Sequence, residues 1–355
     1  MRSEAEIIER IWSRLPTGTS AGTRAWLRIG VGDDAAVLTE KPSRGLKSKG
    51  ASGEWVLSCD AFLEDRHFLM SVHSPAAVGY KALARATSDL AAMGAAPRFF
   101  MLSLALPASR TGKWLDGFLA GMAKAARRYG MILIGGDTSQ SATIVMNLTV
   151  GGAAAPGRAL TRSGARAGDR IYVTGKLGAA QLGLELVLRG LHHKRQWKRF
   201  LAPHLYPQIQ IELGRWLAGE NQFQEKIASA AIDTSDGLST DLNHICQASR
   251  VGARIWAGKI PVVAVPESLQ SRGLDSLDLA LHGGEDYQLL FTAARLAART
   301  YRGVAITRIG EIVPLKSLRR WKNARPNSNE NGLVELIDAA GSASQLIPRG
   351  WDHFR

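Results

Sequence analysis

Residues 76–97 read AAVGYKALARATSDLAAMGAAP, and this stretch contains the long helical pattern of the first half of the chain. Its apolar positions Val78, Ala82, Ala86, Leu90 and Met93 recur at spacings of three and four residues. That spacing is the period of one helix face, so it predicts a helix over 76–93 with this face buried.

Strands and helices alternate on either side of this helix. The other elements predicted in the first half are the strands Trp55–Asp60, Arg98–Leu106, Met131–Ile134 and Thr143–Val150, and the helix Lys113–Tyr129. The second half is predicted to contain the strands Arg170–Thr174 and Ile227–Ile232, the helices Ala179–Arg189 and Leu238–Ser249, and a strand that leaves Gly284 and runs through Phe291. This alternation predicts the α/β (α+β) class.

Two domains are expected, because 355 residues exceed the roughly 100–200 of an ordinary domain. The segment Gly151–Gly157 is the best candidate for the connection. We therefore predict an N-terminal domain over residues 1–152 and a C-terminal domain over residues 153–355.

The chain is basic, with 45 Lys and Arg against 31 Asp and Glu and a net charge of +14. The excess is concentrated in Lys41–Lys49, His192–Arg199 and Lys316–Arg325, which we interpret as solvated loops without the aromatic interleaving of a nucleic-acid surface. This interpretation of the basic clusters predicts no nucleic-acid partner. No run approaches about 18 apolar residues, so we expect a cytoplasmic protein without a membrane partner. Its two cysteines, Cys59 and Cys246, are expected to stay reduced.

Six acidic clusters lie where extended runs are predicted to stop, most of them beside glycines. They are GDDAA at 32–36, SCD at 58–60, SDL at 88–90, GGDT at 135–138, DTSDG at 233–237 and GGEDY at 283–287. Carboxylates collected in a basic chain need a cation, and Mg²⁺ prefers such hard oxygen ligands and is often shared with phosphates. The adjoining glycines let backbone N–H groups approach those phosphates.

Each cluster also has an ordinary structural interpretation. Asp233 and Asp236 could cap the following helix, and an Asp beside Gly commonly forms a turn. Asp89 could belong to a solvent-facing ion-pair network with Lys81 and Arg85. The segment Gly175–Gly178 could offer helix N-terminal amides to an anion or form a plain turn. Neither a Walker phosphate loop nor the protein-kinase motifs occur in the sequence.

The ordered motifs together closely resemble the bacterial thiamine-monophosphate kinases. They are GDDAAVL, SCDAFLEDRHF, YKALARATSDLAAMGAAP, IGGDTS, GRALTRSGARAGDRIYVTGKLG, AIDTSDGLSTDL and GGEDYQLLF, from Gly32 to Phe291, followed by the ending Gly350–Phe354. The resemblance implies a two-domain aminoimidazole ribonucleotide synthetase-like fold. In such a fold the N-terminal sheet forms a barrel across a homodimer, and the C-terminal domain is an α/β sandwich. The resemblance thus implies that residues 1–152 bind ATP and Mg and dimerise, and that residues 153–355 complete the active site.

The resemblance also implies roles for individual residues. The metal ligands would be Asp34, Ser58, Cys59, Asp60, Asp89, Asp137, Asp233 and Asp236, and the ATP contacts would be Gly136, Asp137, Arg162 and Ser235. The catalytic residues would be Asp137, Arg162 and Asp236. The substrate contacts would be His67, Glu285 and Trp351, with Pro348 as the alternative to Trp351. Cys59 stands where the family usually has Thr. A thiol suits Mg²⁺ poorly, but nothing is lost if the ligand at this position is the backbone carbonyl.

The activity implied is transfer of the γ-phosphoryl group of ATP to thiamine monophosphate, which gives thiamine diphosphate and ADP with the help of several Mg²⁺ ions. Two alternatives remain open from the sequence. One is a different ATP-dependent synthetase of the same superfamily, which would keep the metal ligands and change the acceptor pocket. The other is a non-catalytic protein that binds ATP or nucleic acid, although every expected carboxylate is present.

Overall fold

The structure is a computed structural model that describes residues 4–14, 26–39, 53–318 and 333–351. The helices are α1 (Glu4–Trp12), α2 (Pro75–Ala92), α3 (Lys113–Tyr129), α4 (Ala179–Leu188), α5 (Lys198–Leu205), α6 (Ile211–Leu217), α7 (Leu238–Ser249), α8 (Glu267–Gln270) and α9 (Ser276–His282). The strands are β1 (Leu27–Ile29), β2 (Ala36–Thr39), β3 (Glu54–Leu63), β4 (Ala96–Leu106), β5 (Ile132–Gln140), β6 (Val145–Ala154), β7 (Arg170–Thr174), β8 (Ala230–Asp233), β9 (Gly252–Trp256), β10 (Leu289–Ala293), β11 (Thr300–Tyr301), β12 (Val304–Val313), β13 (Val334–Ile337) and β14 (Ala343–Leu346). Within these ranges no helix has the length and apolar character needed to span a membrane.

The chain folds into two compact units. The N-terminal unit contains Ile7–Ala159 and, from later in the chain, Leu205–Ala218. The C-terminal unit contains residues 4–6, Leu160–His204 and the described residues from Gly219 onward. Each unit has its own β-sheet, which confirms the predicted mixed α/β class. The predicted domain boundary at 152/153 stays a prediction.

The sheet of the N-terminal unit has the strand order β1-β2-β3-β6-β4-β5. All neighbours are antiparallel except β4 and β5, which are parallel because α3 connects them. Helix α2 begins at Pro75 after Ser74, whose hydroxyl accepts a hydrogen bond from the Ala77 amide at 3.2 Å. It packs closely on α3, since a Cβ at Gly121 would lie 1.9 Å from the Ala76 carbonyl oxygen.

The sheet of the C-terminal unit has the strand order β14-β13-β9-β12-β7-β10-β8, with β11 beside β12. Helix α7 buries Leu238, Leu242, Ile245 and Cys246 in a core with apolar residues of β7, β8, β9, β10 and β12. A second apolar cluster joins α4 to residues around Trp197, which is 8% exposed. The sheet thereby holds β8 and β10 side by side, so that the loops after Asp233 and before Leu289 are neighbours.

Several strands extend beyond their predicted ends. Strand β5 runs to Gln140 and pairs Asp137 with Ser103, while Ser58–Asp60 lie inside β3 and β6 continues to Ala154, into the predicted connection. The expectation that extended runs stop at Ser58–Asp60 and at Gly135–Thr138 is therefore wrong. Ladder hydrogen bonds to a neighbouring strand outweigh the local turn preference of Gly and Asp.

The basic clusters also differ from the expectation. The segment His192–Arg199, predicted as a solvated loop, includes a short 3₁₀ helix at Arg195–Trp197 and the start of α5. Because the buried Trp197 packs on α4, this segment is part of the fold. The cluster Lys41–Lys49 lies outside the described residues, and so does Lys316–Arg325 after its first three residues.

Candidate active site

Two acidic side chains of the N-terminal unit meet beside β3. Carboxylate oxygens of Asp34, which precedes β2, and of Asp89, near the end of α2, lie within 4.8 Å of each other. The Ser58 hydroxyl on β3 donates a hydrogen bond to Asp89 Oδ2. Asp34 is only 8% exposed. Two carboxylates this close disfavour each other's ionisation unless a cation or a proton compensates them, so the pair has the donor set of a hard-metal site.

The solvent-facing alternative for Asp89 is wrong. Helix α2 is buried on nearly all sides, and Lys81, which this alternative places on a solvent face, is 1% exposed. Arg85 instead lies next to β3, where its Nε is 3.4 Å from Asp60 Oδ2 and its Nη1 donates to the Ala61 carbonyl. Asp60 therefore has a protein cation beside it that would compete with a metal.

Side chains alternate between the two faces of β3, and Cys59 lies on the face opposite to Ser58 and Asp60. Its thiol donates to Asn147 Oδ1 at 3.0 Å and accepts from the Thr149 hydroxyl at 3.6 Å, both on the neighbouring strand β6. The Cys59 thiol and the Asp89 carboxylate are thus on different sides of the sheet. Both cysteines are free thiols, Cys59 exposed and Cys246 buried.

Gly136 and Asp137 lie on β5, at one edge of the sheet. A Cβ at Gly136 would be 1.9 Å from the Leu102 carbonyl oxygen, so only glycine permits the parallel pairing with β4 at this point. The next residue, Asp137, is exposed. Since it belongs to a strand, the turn interpretation of this aspartate is wrong.

His67 follows β3 in a tight turn. Its Nδ1 accepts a hydrogen bond from the Leu63 amide at 3.0 Å, and its ring stacks on Phe62 with centroids 5.4 Å apart. Because Nδ1 accepts this hydrogen bond, the neutral ring has its proton on Nε2. The imidazole is thereby held by local contacts in a single orientation.

Two loops of the C-terminal unit are bonded to each other through their main chains. The Ser235 carbonyl accepts from the Glu285 amide at 2.8 Å, and the Thr234 carbonyl accepts from the Tyr287 amide at 2.9 Å. Asp233, the last residue of β8, is 2% exposed. The loop that carries the predicted metal and ATP residues and the loop that carries the predicted substrate residue are thus one hydrogen-bonded structure.

The second of these loops is strained. Glu285 and Tyr287 both have positive φ angles, 68° and 48°, which non-glycine residues seldom adopt. Such strain persists only where the surroundings enforce it, and it collects at functional sites. Glu285 Oε2 lies 3.3 Å from Nδ1 of His204, a buried residue of α5 that the sequence analysis did not select.

A further carboxylate was missed by the sequence analysis. Asp241 of α7 is 1% exposed, and its Oδ2 accepts from the Gly237 amide at 3.0 Å. Burial, followed by the charges of Asp236 and Asp233, raises the pKa of Asp241 well above its ordinary value, while the Gly237 amide and Arg162 lower it. The predicted ATP contact Arg162 therefore lies close enough to this acidic group to act on it electrostatically.

The same arginine acts on His244, one turn further along α7. Burial and then the charge of Arg162 lower the pKa of His244 to about 4, so this histidine is neutral at pH 7. Asp241 is the last acidic residue of the AIDTSDGLSTDL motif, four residues after Gly237. A glycine that begins a helix, followed one turn later by an acid, is the signal that could have identified it.

The anion-binding alternative for Gly175–Gly178 is wrong, because a protein carboxylate binds these amides. The carboxylate of Asp286 accepts from the amides of Gly178 and Ala180 with its two oxygens, and so caps α4. Burial raises the pKa of Asp286 to about 7, although hydrogen bonds from the amides of Ala180, Gly178 and Ala179 lower this pKa. These helix N-terminal amides are therefore not available to a phosphate.

The predicted substrate residue Trp351 lies near the end of the described chain, and its side chain is 48% exposed. Its amide donates to the Asp236 carbonyl at 3.2 Å. The C-terminal unit thus brings together Asp233, Ser235, Asp236, Glu285 and Trp351. The N-terminal unit brings together Asp34, Ser58 and Asp89.

Comparisons with known proteins identify relatives of this chain. The family described as AIR synthase related protein, N-terminal domain, matches residues 32–154. The thiamine-monophosphate kinase of Salmonella typhimurium strain LT2 is 36% identical, over 99% of this chain and 98% of that protein. The one from Escherichia coli strain K12 is 34% identical with the same coverage. The solved structure of AaThiL complexed with AMPPCP and TMP matches 100% of this chain and 99% of its own, with a TM-score of 0.76 and 29% identity.

Proposed function

This chain belongs to the thiamine-monophosphate kinases, and we propose that the carboxylates described above bind the Mg²⁺ ions with which such a kinase works. The enzyme phosphorylates thiamine monophosphate with ATP as co-substrate. The observation that supports the metal proposal best is the pair Asp34 and Asp89, whose carboxylate oxygens approach within 4.8 Å beside the Ser58 hydroxyl. These are hard oxygen donors of the kind that Mg²⁺ prefers.

The acceptor phosphate is already a nucleophile. A phosphate monoester has a second pKa near about 6, so thiamine monophosphate is largely dianionic at neutral pH and needs no strong general base. The protein has to align two negative reactants and compensate their charge. Bound Mg²⁺ would supply positive charge to the transferring phosphoryl group.

The remaining roles are proposed residue by residue. The Mg²⁺ ligands are Asp34, Ser58, Asp60, Asp89, Asp137, Asp233 and Asp236, together with the carbonyl of Cys59. Gly136, Asp137, Arg162 and Ser235 contact ATP, and the guanidinium of Arg162 makes a bidentate contact to phosphate. Asp137, Arg162 and Asp236 act directly on the transferring group. Arg85, beside Asp60, would have to move or share this carboxylate when the metal binds.

The acceptor is proposed to contact His67, Glu285 and Trp351. Because local contacts fix the orientation of the His67 imidazole, it can contact the phosphate or the organic part of the substrate from one direction. Glu285 is held in a strained conformation, and its carboxylate matches the positive thiazolium ring of thiamine. An indole face such as that of Trp351 also attracts a cation.

We also propose a homodimer in the cytoplasm. The edge strand β5 exposes Ile132, Leu133 and Ile134, with 65%, 58% and 52% of their surfaces accessible. The face of the sheet that carries Cys59 also exposes Trp55 and Met101. A long apolar edge strand invites pairing with another chain, so β5 and this face are the proposed dimer interface.

Substitution of Asp137 by Asn tests the proposed catalytic role. Asn keeps the shape of the side chain and removes its charge, and Asp137 is exposed within a strand, so folding should be preserved. We expect thiamine diphosphate formation at saturating Mg²⁺ and ATP to fall on the order of 10²-fold or more. The ligand-free melting temperature should stay within a few degrees of the wild type.

The control is Asp116→Asn, which removes an exposed carboxylate on α3 in the same unit. It should leave both turnover and melting unchanged. Turnover of Asp137→Asn equal to that of the control would remove Asp137 from the catalytic group. A thermal-shift series with thiamine monophosphate, an aminoimidazole ribonucleotide and an oligonucleotide, each with Mg²⁺ and a non-hydrolysable ATP analogue, identifies the acceptor by the largest stabilisation.

A further inference from the structure

The C-terminal segment Arg349–Trp351 lies across the first turn of α7, directly beside the loop Asp233–Gly237. We propose that Ser239, Thr240 and His282 form a tail anchor that positions Trp351 for the acceptor substrate. Ser239 and His282 would be positioning residues for thiamine monophosphate and would not contact it. This inference rests on the proposed role of Trp351 as an acceptor contact.

Three consecutive main-chain amides of the segment are bonded to α7 and the preceding loop. The Arg349 amide donates to Ser239 Oγ at 3.4 Å, and the Gly350 amide donates to Thr240 Oγ1 at 3.1 Å. The Trp351 amide donates to the Asp236 carbonyl at 3.2 Å. A terminal segment is usually poorly ordered unless such hydrogen bonds hold it. These three hydrogen bonds therefore fix the main-chain position from which the Trp351 side chain extends.

The approach at the centre of the segment is very close. A Cβ at Gly350 would lie 2.2 Å from the Asp236 carbonyl oxygen and 2.4 Å from Thr240 Oγ1. Any other residue at 350 would push the segment away from the loop. Glycine at this position is therefore a requirement of the tail anchor.

His282, the last residue of α9, connects the anchor to the Arg349 side chain. Its Nδ1 is 2.9 Å from Ser239 Oγ, and its Nε2 is 2.6 Å from Arg349 Nη2. A guanidinium can only donate, so Nε2 accepts and the proton of the neutral ring is on Nδ1. Burial and the charge of Arg349 lower the pKa of His282, which maintains this neutral form.

Ser239 is the centre of this network. Its hydroxyl oxygen accepts from both His282 Nδ1 and the Arg349 amide, and the residue is completely buried. The contact of Arg349 with Asp278, at 3.2 Å, joins two side chains that are each 64% exposed and adds little. Loss of the Ser239 hydroxyl would therefore release the segment at two points and leave the core of the unit intact.

The anchored segment is hydrogen-bonded to the loop Asp233–Gly237, which is in turn hydrogen-bonded to the loop that contains Glu285. Trp351 is bonded to Asp236, a proposed metal ligand, and the neighbouring Ser235 carbonyl is bonded to Glu285, a proposed acceptor contact. The tail anchor therefore fixes the position of Trp351 relative to Glu285, the other proposed acceptor contact. Release of the tail should weaken binding of thiamine monophosphate and leave binding of ATP nearly unchanged.

The test is steady-state kinetics of Ser239→Ala and Gly350→Ala, with Ser271→Ala as control. Ser271 is an exposed serine whose hydroxyl donates to the Ser268 carbonyl of its own turn. Both variants of the anchor should raise the KM for thiamine monophosphate about fivefold to tenfold, as expected for the loss of one or two hydrogen bonds. The KM for ATP and kcat should stay within about twofold, and amides 349–351 should exchange hydrogen faster than in the wild type.

His282→Gln keeps an acceptor for Arg349 and should give a KM between those of the wild type and His282→Ala. An unchanged KM for thiamine monophosphate in both Ser239→Ala and Gly350→Ala would refute the tail anchor alone. An equal rise in the KM for thiamine monophosphate and the KM for ATP would refute it as well, because it would indicate a general loosening of the unit. A wild-type enzyme that does not phosphorylate thiamine monophosphate would refute the proposed function, and the anchor with it.

Discussion

Cys59 shows how the face of a strand decides the role of a side chain. It lies between Ser58 and Asp60, two proposed metal ligands, but its thiol is bonded to Asn147 and Thr149 on the opposite face of the sheet. A side chain there can influence the metal only through the backbone of β3. The carbonyl of Cys59 is available whatever the side chain is.

Substitution of Cys59 by Thr should therefore be tolerated. Threonine suits a strand and can donate to Asn147 from the same position. We expect turnover of thiamine monophosphate within about tenfold of the wild type, or about 1.4 kcal/mol in barrier height. Ser58→Ala is the comparison, because it removes the hydroxyl bonded to Asp89 and should cost more. A larger loss for Cys59→Thr than for Ser58→Ala would give the thiol a role of its own.

The residues that the sequence identified and the one it missed differ in their surroundings. Asp34, Asp89 and Asp233 stand in motifs whose order along the chain identifies the family, so their importance could be read without coordinates. Asp241 lies inside a helix, where an acidic residue is usually on the surface. Only the packing of α7 shows that it is buried beside Asp233 and Asp236.

At the scale of elements, prediction succeeded where the pattern was local. Helices α3 and α7 and strand β7 have the bounds predicted from their periodicity. Strand β5 was predicted too short, because Gly135-Gly136-Asp137 has the composition of a turn and its pairing with β4 is a long-range contact. The cap of α4 could not be predicted either, since the capping residue Asp286 is more than 100 residues away in the sequence.

This cap predicts a specific loss of stability. In Asp286→Asn, one oxygen that accepts an amide of α4 becomes an NH₂ group facing that N–H. A buried donor left without an acceptor costs about 1–3 kcal/mol, so the free energy of unfolding in urea should fall by this amount. Asp275→Asn is the matched control, because Asp275 caps α9 with a single hydrogen bond and Asn caps equally well. Equal stability of the two variants would contradict the role of Asp286.

At the scale of the whole molecule, the chain order does not follow the compact units. Residues 205–218 belong with the N-terminal unit, where α6 packs on α2 so closely that a Cβ at Gly214 would lie 2.0 Å from the Ala91 carbonyl oxygen. Nothing in the local pattern of Ile211–Leu217 indicates this partner. Such a return of the chain depends on the shape of both surfaces, which periodicity cannot report.

The exposed edge strand β5 leads to the last prediction, which concerns assembly. Strand β5 ends the sheet of the N-terminal unit, pairs on one side with β4, and exposes more than half the surface of each of Ile132, Leu133 and Ile134. Apolar surface of this kind is stabilised when a second chain covers it, at roughly 25 cal/mol per Å². Light scattering should therefore report about twice the chain mass of 38.3 kDa.

The double substitution Ile132→Lys and Ile134→Lys places two charges on this edge, where lysine is a common guard against strand pairing. It should give a species of about one chain mass, because burying two unpaired ammonium groups costs several kcal/mol. Leu188→Lys, which places the same charge on an exposed leucine of α4, should leave the mass at two chains. If the wild type already has the mass of one chain, or the β5 variant keeps the mass of two, then β5 is not the dimer interface, and its apolar edge would need a different explanation.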